Sequence, residues 1–500
     1  MSRNYVLGID EGTTSERVVL YNIAKREIVD VASVPIECDF PKSGYVEQDA
    51  RYIAENAKIM LEKVIKRNKL REMDILGLAI TNQRETVVAW DNASKPALPA
   101  IVWQCRRTAE FCKNVPEKDK IWLKNKTGLI MDAYFSASKM RWIIENSKRA
   151  QNLADKGELH MGTIDSYLLY YLSDGNIFAT DTSNVSRTML VDLKAIASGK
   201  FEYDNKLLEY FGLQRSWLPK IVNSAENMGT ITVAGLNIAV LSIVGDQQGS
   251  LIGQGCVYKG DAKNTYGTGC FFMQNVGDDI DTGLKVKNLL TTVGWSYRSR
   301  TQFALEGSIF HAGSISNWLV DKMKLVKNVG EIEGKCLAVP DNGGVYLIPA
   351  FTGIGAPYWD GFARAKFTGI TLATTDAHLV RACMESICYL SADIIHEAEE
   401  SGFSVHNMVC DGGVSKNNFV MQFQSDILGK KIYKSYESES TVMGAIYLAM
   451  LAGGVIKSIG EIKNILQEPR EYVPKMSKSD KQHNVLGWKE TLCTNGILKS

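Results

Sequence analysis

Short apolar runs alternate with polar turns along the first part of the chain. The run Val6 to Ile9, the stretch "RVVLYN" and the alternating stretch "EIVDVASVPI" predict three consecutive strands. The segment "DARYIAENAKIMLEKVIKRNK" follows, and its apolar residues recur at helical spacing, at Ile53, Ile59, Met60, Val64 and Ile65. Two more apolar runs in "DILGLAITNQRETVVAW" predict further strands. This order of elements is typical of an α/β domain.

A similar order of elements begins again near residue 239. The apolar stretch "IAVLSIVG" leads into the polar turn "DQQGS", and "AKNTYGTGCFFMQN" places a Gly/Thr turn between two apolar stretches. The helical pattern of "DAHLVRACMESICYLSADIIHEAEESG" then precedes the strand "HNMVC" and the turn "DGGVSKNN". Because each half opens on a strand that ends in Asp, the sequence predicts an internal structural repeat of two lobes.

Composition narrows the range of function classes. The chain has 500 residues, with 57 basic and 56 acidic side chains and a net charge of +1, so a nucleic-acid partner is not indicated. The ten cysteines form no CxxC pair, and we expect reduced thiols in a cytoplasmic protein. The apolar region "ITVAGLNIAVLSIVG" is interrupted by Gly235 and Asn237 and is shorter than the ~20 residues of a membrane span, so no span is expected.

The first polar turn, "DEGTTS", carries groups suited to phosphate chemistry. Asp10 follows an apolar strand, and ligands of open α/β sheets gather beyond the carboxyl ends of strands. Small residues and hydroxyls suit phosphate oxygens, Asp10 could hold a hydrated Mg²⁺, and Arg17 could neutralise a terminal phosphate. An ordinary hairpin turn explains this stretch equally well when it is taken alone.

Three further turns of the same kind strengthen the hypothesis. They are "VGDQQGS" with Asp246, "NTYGTGC" from Asn264 to Cys270, and "CDGGVSKNN" from Cys410 to Asn418. Together the four turns predict a cleft that binds a nucleoside triphosphate and a metal ion. The chain has neither a Walker loop nor a dinucleotide-binding GxGxxG motif in a βαβ unit.

Nine segments of the chain resemble the FGGY carbohydrate kinases, in order and spacing, over nearly the whole chain up to about Pro469. They are "DEGTTSERVV", "ITNQRETVVAW", "AIVWQCRRTAE", "YFSASKMRW", "GDQQGSLIGQ", "KNTYGTGCFF", "ALEGSIFHAGSISNWL", "PAFTGIGAPYWD" and "DGGVSKNNFVMQFQSDILG". The resemblance implies the ASKHA fold of actin, hexokinase and the Hsp70 chaperones, in which two ribonuclease-H-like lobes close over ATP. It places an N-terminal lobe at 1–252 and a C-terminal lobe at 253–500.

The resemblance also implies the residues of each site. Those expected at the ATP phosphates are Thr13, Thr14, Ser15, Arg17 and Thr268, and those expected beside the base are Gly313, Asn317, Gly413 and Asn417. The residues expected to bind the polyol are Arg84, Glu85, Trp103, Tyr134, Asp246, Gln247 and Phe271. Paired donors and acceptors suit the hydroxyls of a three-carbon triol, and aromatic rings suit its C–H face.

The activity implied is phosphorylation of glycerol by ATP with Mg²⁺. Asp246 would accept the proton of the attacking hydroxyl, and Asp10 would hold the metal ion through water. The partners are then glycerol and ATP/ADP, and a cytoplasmic homodimer is expected by analogy with the family.

Three features depart from the usual family pattern. Glu11 replaces a Gln and would add negative charge beside the phosphates, and Asn317 replaces a Gln and is one methylene shorter. The segment "GTITVAGLNIAV" lacks the glycine-rich, arginine-bearing loop with which some bacterial members bind fructose 1,6-bisphosphate. That regulation is therefore not expected.

Two alternatives stay open at this stage. Another FGGY kinase would act on a longer sugar or polyol, and a nucleotide-operated binding protein of the actin or Hsp70 type would need no polyol site. Taken singly, Arg84 and Glu85 could also form a surface ion pair, and Trp103 and Phe271 could be ordinary core residues.

Overall fold

The computed structural model describes residues 3–437 and 439–498, and most of its strands belong to two large mixed sheets. The described strands are β1 Tyr5–Glu11, β2 Ser15–Asn22, β3 Glu27–Pro35, β4 Glu47–Gln48, β5 Ile75–Asn82, β6 Val87–Trp90, β7 Ala100–Ile101, β8 His160–Thr163, β9 Ala179–Asp181, β10 Lys220–Val222, β11 Thr230–Val233, β12 Leu236–Gly245, β13 Asp261–Tyr266, β14 Cys270–Gly277, β15 Leu290–Tyr297, β16 Arg300–Ile309, β17 Tyr346–Ile348, β18 Lys366–Thr368, β19 Asn407–Asp411, β20 Ile432–Lys434 and β21 Arg470–Tyr472.

Helices cover the faces of the sheets and connect their strands. The described helices are α1 Ala50–Arg67, α2 Ala109–Asn114, α3 Glu117–Thr127, α4 Ser136–Asn146, α5 Lys148–Asp155, α6 Ile164–Leu172, α7 Thr182–Val185, α8 Leu193–Ala197, α9 Asn205–Phe211, α10 Asp246–Gly253, α11 Ile280–Gly283, α12 Gly313–Asp321, α13 Glu331–Leu337, α14 Asp376–Glu400, α15 Asn418–Leu428, α16 Ser440–Ala452 and α17 Lys478–Thr494.

Both large sheets contain the same arrangement of five strands. In the first sheet the order is β3-β2-β1-β5-β12, in which β1, β5 and β12 are parallel and β2 is antiparallel to both of its neighbours. In the second sheet the order is β16-β14-β13-β19-β20, with β13, β19 and β20 parallel and β14 antiparallel to both of its neighbours. The matching order and directions confirm an internal repeat, but its predicted start near residue 239 is wrong: β12 pairs with β5 in the first sheet, and the repeat begins at β13, which ends at Tyr266 rather than at Asp.

Helix α1 forms where the sequence predicts it and begins at a carboxylate cap. The side chain of Asp49 accepts hydrogen bonds from the backbone N–H groups of Arg51 and Tyr52. Most of the predicted apolar residues are buried against the first sheet, but Ile59 is 60% exposed. The buried face passes through Ile53, Ala57, Met60, Leu61 and Val64, and Ile59 lies on the opposite side of the helix.

Helices α10 and α16 cross at glycines and lie between the two sheets. A Cβ atom on Gly253 would lie 1.8 Å from the carbonyl oxygen of Ser440, and one on Gly444 would lie 1.9 Å from that of Gly249. The two backbones are therefore in direct contact. A buried cluster of side chains, including Val19 of the first sheet and Met273 of the second, packs around α16. Because packed cores resist deformation, we treat α10 and α16 as one rigid unit.

All ten cysteines are free thiols, and eight of them are buried. Among the residues that the structure describes, no helix combines the length and the hydropathy needed to cross a membrane.

Candidate active site

Polar residues from both sheets meet in the cleft beyond the carboxyl ends of the central strands. Asp10 is the penultimate residue of β1, and Asp246 is the first residue of α10, directly after β12. In the second sheet the turn 267–269 follows β13, and the turn 412–413 follows β19. All four turns singled out in the sequence therefore lie at strand ends, as the pattern predicts.

The hairpin between β1 and β2 places Asp10 opposite Arg17. The two residues are cross-strand partners, and Nη2 of Arg17 lies 3.3 Å from Oδ2 of Asp10. Burial raises the pKa of Asp10 to about 6, even though the nearby Arg17 charge acts to lower it. Between these strands the backbone N–H of Gly12 donates to the carbonyl of Ser15. The tight turn leaves the side chain of Thr14 exposed to the cleft.

Glu11 and Glu16 lie on the same hairpin as cross-strand partners, and both are fully buried. The carboxylate of Glu11 accepts a hydrogen bond of 2.7 Å from Nε2 of Gln83, whereas both carboxyl oxygens of Glu16 are buried without a hydrogen-bond partner. Burial raises the pKa of Glu11 to about 8 and that of Glu16 to about 9. Burial therefore favours the protonated form of Glu11 near neutral pH, which limits the negative charge that this residue adds beside the phosphates.

Arg84 is the centre of the predicted polyol site. It is 3% exposed, its Nε lies 3.2 Å from Oδ1 of Asp246, and its Nη1 donates to Glu306 at 2.6 Å. Nη2 also lies 3.5 Å from the hydroxyl of Tyr134. Arg84 forms these contacts rather than a pair with Glu85, so the surface ion-pair interpretation is wrong.

Glu85 belongs to a buried network of charges with Arg187 and Glu306. Its backbone is left-handed, with φ of 60°, and its carboxylate lies 2.5 Å from Nε of Arg187. Arg187 also donates to Glu306 at 3.1 Å. Burial alone would raise the pKa of Glu306, but Arg187 and Arg84 outweigh it and lower this pKa to about 2. The two arginines and two glutamates attract one another, which offsets part of the cost of burying these charges.

The indole of Trp103 links the predicted polyol site to the turn that carries Thr13, Thr14 and Ser15, which we call the hydroxyl turn. Nε1 of Trp103 donates to Oγ1 of Thr13 at 2.9 Å, and the ring contacts Tyr134 edge-on with 5.6 Å between centroids. The side chain of Gln48 donates to the carbonyl of Thr13 at 2.7 Å. Trp103 is half-buried, so its ring is not an ordinary core residue. Phe271 is also half-buried and lies on β14 opposite Thr265.

Asp246 is positioned by the start of α10. Its Oδ1 accepts a 2.7 Å hydrogen bond from the backbone N–H of Gln247, and its side chain is 31% exposed to the cleft. The side chain of Gln247 accepts a hydrogen bond from Nζ of Lys263, which is fully buried. Burial lowers the pKa of Lys263, while the carboxylates of Asp411 and Asp246 act to raise it.

The predicted nucleotide residues of the second lobe surround the turn 267–269. The carbonyl of Thr268 accepts from the backbone N–H of Ala312, and the N–H of Gly313 donates to the carbonyl of Gly267 at 2.9 Å. A Cβ on Gly313 would lie 2.6 Å from that carbonyl, so only glycine fits there. Asn317 lies one turn further along α12 and is exposed.

The second predicted group of base-binding residues lies at the start of α15. Gly413 is exposed in the turn after β19. The side chain of Asn417 caps α15 by accepting a 3.2 Å hydrogen bond from the N–H of Val420. The side-chain oxygen of Asn417 is therefore already bonded in the cap, and only the NH₂ group of this side chain takes no part in it.

Several residues of the site were not singled out in the sequence. They are Glu16, Gln48, Gln83, Arg187, Lys263, Glu306 and Glu439, and each is buried or bonded within the cleft. Glu16 and Glu306 lie inside segments whose resemblance to the FGGY kinases was recognised, but an acidic residue within a strand gives no local signal that it is buried.

The carboxylates of the cleft suit a hydrated Mg²⁺. The described residues hold no cluster of three or more His, Cys, Asp or Glu side chains arranged around a metal ion. Mg²⁺ in phosphoryl-transfer sites keeps several waters and is bound by one or two carboxylates and the substrate phosphates. Asp10, the penultimate residue of β1, matches that pattern as a single carboxylate beside the predicted phosphate turn.

Comparison with known proteins gives matches over nearly the whole chain. Residues 5–253 match the FGGY family of carbohydrate kinases, N-terminal domain, and residues 262–453 match its C-terminal domain. The chain is 39% identical over 498 residues to a glycerol kinase of Clostridium perfringens, with 98% of each chain covered. It is 40% identical over 493 residues to glycerol kinase 2 of Thermotoga maritima, again with 98% of each covered.

A solved structure has the same two-lobed α/β fold. The crystal structure of Plasmodium falciparum glycerol kinase with ADP superposes with a TM-score of 0.90 at 32% identity, covering 99% of this chain and 98% of that one. Matches of this extent and identity, together with the repeated lobes and the four polar turns, determine the family. The chain belongs to the FGGY family of carbohydrate kinases.

Proposed function

We propose that the protein transfers the γ-phosphate of ATP to glycerol, giving sn-glycerol 3-phosphate and ADP. The observation that carries this proposal is the position of Asp246. Its carboxylate lies 3.2 Å from Arg84 of the polyol pocket and also acts electrostatically on Asp10 of the phosphate hairpin. A base in this position lies between the hydroxyl to be phosphorylated and the phosphate to be transferred.

The polyol site offers donors and acceptors that suit the hydroxyls of a small polyol. Arg84 and Glu85 supply a donor and an acceptor, and the hydroxyl of Tyr134 lies next to Arg84. The rings of Trp103 and Tyr134 form one wall, and Phe271 contributes from the other lobe. Buried ion pairs fix Arg84, so the pocket is preorganised. Moving Arg84 to admit a five-carbon sugar would break these ion pairs and reduce the binding free energy.

The nucleotide lies between the lobes in this proposal. Thr13, Thr14, Ser15, Arg17 and Thr268 contact its phosphates, whereas Gly313, Asn317, Gly413 and Asn417 lie beside its base. The exposed turn at 412–413 and the exposed side chain of Asn317 leave room for the nucleoside. Glu11 does not weaken phosphate binding near neutral pH, because its buried carboxyl group favours the protonated form.

Asp246 accepts the proton of the attacking glycerol hydroxyl as the new P–O bond forms. Phosphoryl transfer is loose and in line, so most of the rate enhancement comes from positioning and from neutralising charge. Arg17 and the N–H groups of the turns supply positive charge at the phosphates. Asp10 would hold a hydrated Mg²⁺ through water, and this ion would neutralise charge on the phosphate oxygens. A cytoplasmic location and a homodimer, both expected from the sequence, remain part of this proposal.

The test is a steady-state assay of ADP release with glycerol, dihydroxyacetone, erythritol, xylulose and gluconate. We expect glycerol to have the highest kcat/KM. Asp246→Asn keeps the shape of the side chain but cannot accept the proton, so kcat should fall by ~10²–10⁴-fold while calorimetry still shows ATP binding.

The control is Asp278→Asn, which removes an exposed carboxylate outside the cleft. This variant should leave kcat and the affinity for ATP unchanged. A higher kcat/KM for xylulose or gluconate than for glycerol would disprove the substrate assignment. Turnover of Asp246→Asn within a few-fold of wild type would disprove its role as the base.

A further inference from the structure

Arg17 is held by carboxylates from two distant parts of the chain. Its Nη1 donates to both oxygens of Glu439, at 2.9 and 2.7 Å, and its Nη2 faces Asp10 at 3.3 Å. Glu439 is 422 positions further along the chain, directly before α16. The side chains of Arg17 and Glu439 are 35% and 26% exposed, so water reaches this ion pair only in part. Such charge-assisted pairs fix the orientation of a guanidinium group.

The third nitrogen of the guanidinium group is left free. Nε of Arg17 is buried and has no hydrogen-bond partner, although a buried N–H normally has one. Since Glu439 binds Nη1 and Asp10 faces Nη2, the plane of the group is fixed and Nη2 is held beside Asp10 at the phosphate hairpin. A fixed guanidinium group beside this hairpin is an arrangement that can stabilise charge on a transferring phosphate.

Glu439 itself is rigidly positioned. Its carbonyl accepts the 3.0 Å hydrogen bond from Met443 that starts α16, and its own N–H donates to Glu437 at 2.9 Å. Helix α16 packs backbone to backbone against α10, whose first residue is Asp246. The carboxylate that orients Arg17 and the proposed base therefore belong to one rigid unit.

We propose that Glu439 is a positioning residue for phosphoryl transfer, which holds the Arg17 guanidinium group so that its positive charge faces the transferred phosphate. This inference rests on the proposed kinase function. Without the carboxylate, Arg17 keeps only the longer contact to Asp10, and its flexible side chain is free to turn toward that residue or toward solvent. Positive charge is then missing where negative charge spreads in the transition state, which lowers kcat more than it raises KM.

The experiment is a double-mutant cycle with Glu439→Gln, Arg17→Ala and the double variant, assayed for kcat and for KM of ATP. Glu439→Gln should lower kcat by about tenfold or more with KM within about threefold, since misplacing one stabilising charge has effects of this size. The double variant should be no slower than Arg17→Ala, because Glu439 acts through Arg17.

Two further variants separate positioning from folding. Glu439→Asp keeps the charge and should recover part of the lost kcat. Glu468→Gln, at an exposed glutamate that forms none of these contacts, is the control and should leave kcat unchanged. Equal kcat for Glu439→Gln and wild type, or additive losses in the double variant, would overturn the inference.

A binding measurement makes the test independent of turnover. Calorimetry with ADP and Mg²⁺, with and without aluminium fluoride as a planar phosphate mimic, should show that Glu439→Gln binds ADP normally but loses most of the gain from aluminium fluoride. The same gain in wild type and variant would overturn the inference. If wild type fails to phosphorylate glycerol, the proposed function fails, and this titration still decides whether Glu439 orients Arg17 toward phosphate.

Discussion

Replacing Glu16 by glutamine is expected to stabilise the protein, and to do so more strongly as the pH rises. Glu16 lies on β2 with no exposed surface, opposite Glu11 and without a hydrogen-bond partner for either oxygen. The carboxyl group is tolerated there because it keeps its proton. Burial raises its pKa from 4.5 to about 9.

The sign of the effect follows from proton linkage. In the unfolded chain Glu16 loses its proton near pH 4.5, whereas in the folded protein it keeps the proton up to about pH 9. The folded state binds more protons in this window, so the stabilising contribution is complete below the lower value and is lost as the pH rises toward the upper one. One proton corresponds to about 1.4 kcal/mol per pH unit. Between about pH 6 and about pH 8 the contribution of Glu16 therefore falls by up to about 3 kcal/mol.

Glutamine has nearly the same shape and cannot ionise, so Glu16→Gln avoids this loss. The assay is urea unfolding of wild type and variant, followed by tryptophan fluorescence at several pH values. The free energy of unfolding should be similar for both near pH 5, and the variant should gain up to about 4 kcal/mol over wild type by about pH 8. Glu37→Gln, at an exposed glutamate, is the control and should show no such trend. A difference between Glu16→Gln and wild type that does not change with pH, or that shrinks as the pH rises, would refute the reasoning.

Two further substitutions test the buried contacts of the cleft. Glu306→Gln leaves Arg84 and Arg187 short of one buried negative charge, so it should destabilise the protein by about 3–5 kcal/mol in urea unfolding; a loss below about 1 kcal/mol would contradict the network described above. Trp103→Phe keeps an aromatic wall but removes the hydrogen bond to Thr13, so KM should rise several-fold for ATP as well as for glycerol; a change confined to glycerol would show that this bond does not connect the two sites.

The sequence alone determined the strand ends where Asp10 and Asp246 lie. An apolar run followed by a small polar turn is a local pattern, and the carboxyl ends of parallel strands meet at one edge of a sheet whatever the rest of the chain does. The existence of a repeat was visible for the same reason, but its start was misplaced, because the apolar strand before Asp246 gives no local signal that it pairs with β5 of the first sheet. The prediction that Ile59 belongs to the apolar face of α1 is wrong for a local reason as well. The residue type alone does not tell whether an isoleucine lies on the buried or on the exposed face of a helix.

Only the tertiary structure decided which charges meet. Arg84 and Glu85 are neighbours in sequence, yet the left-handed backbone at Glu85 directs its side chain to Arg187, while Arg84 pairs with Glu306, 222 positions away. Glu16 looks like an ordinary polar residue at the edge of a turn, and its burial depends on what packs over the hairpin. Periodicity fixes the local elements because it reflects the geometry of a few consecutive residues, whereas ion-pair partners and burial depend on which surfaces the folded lobes bring together, and no short stretch of sequence contains that information.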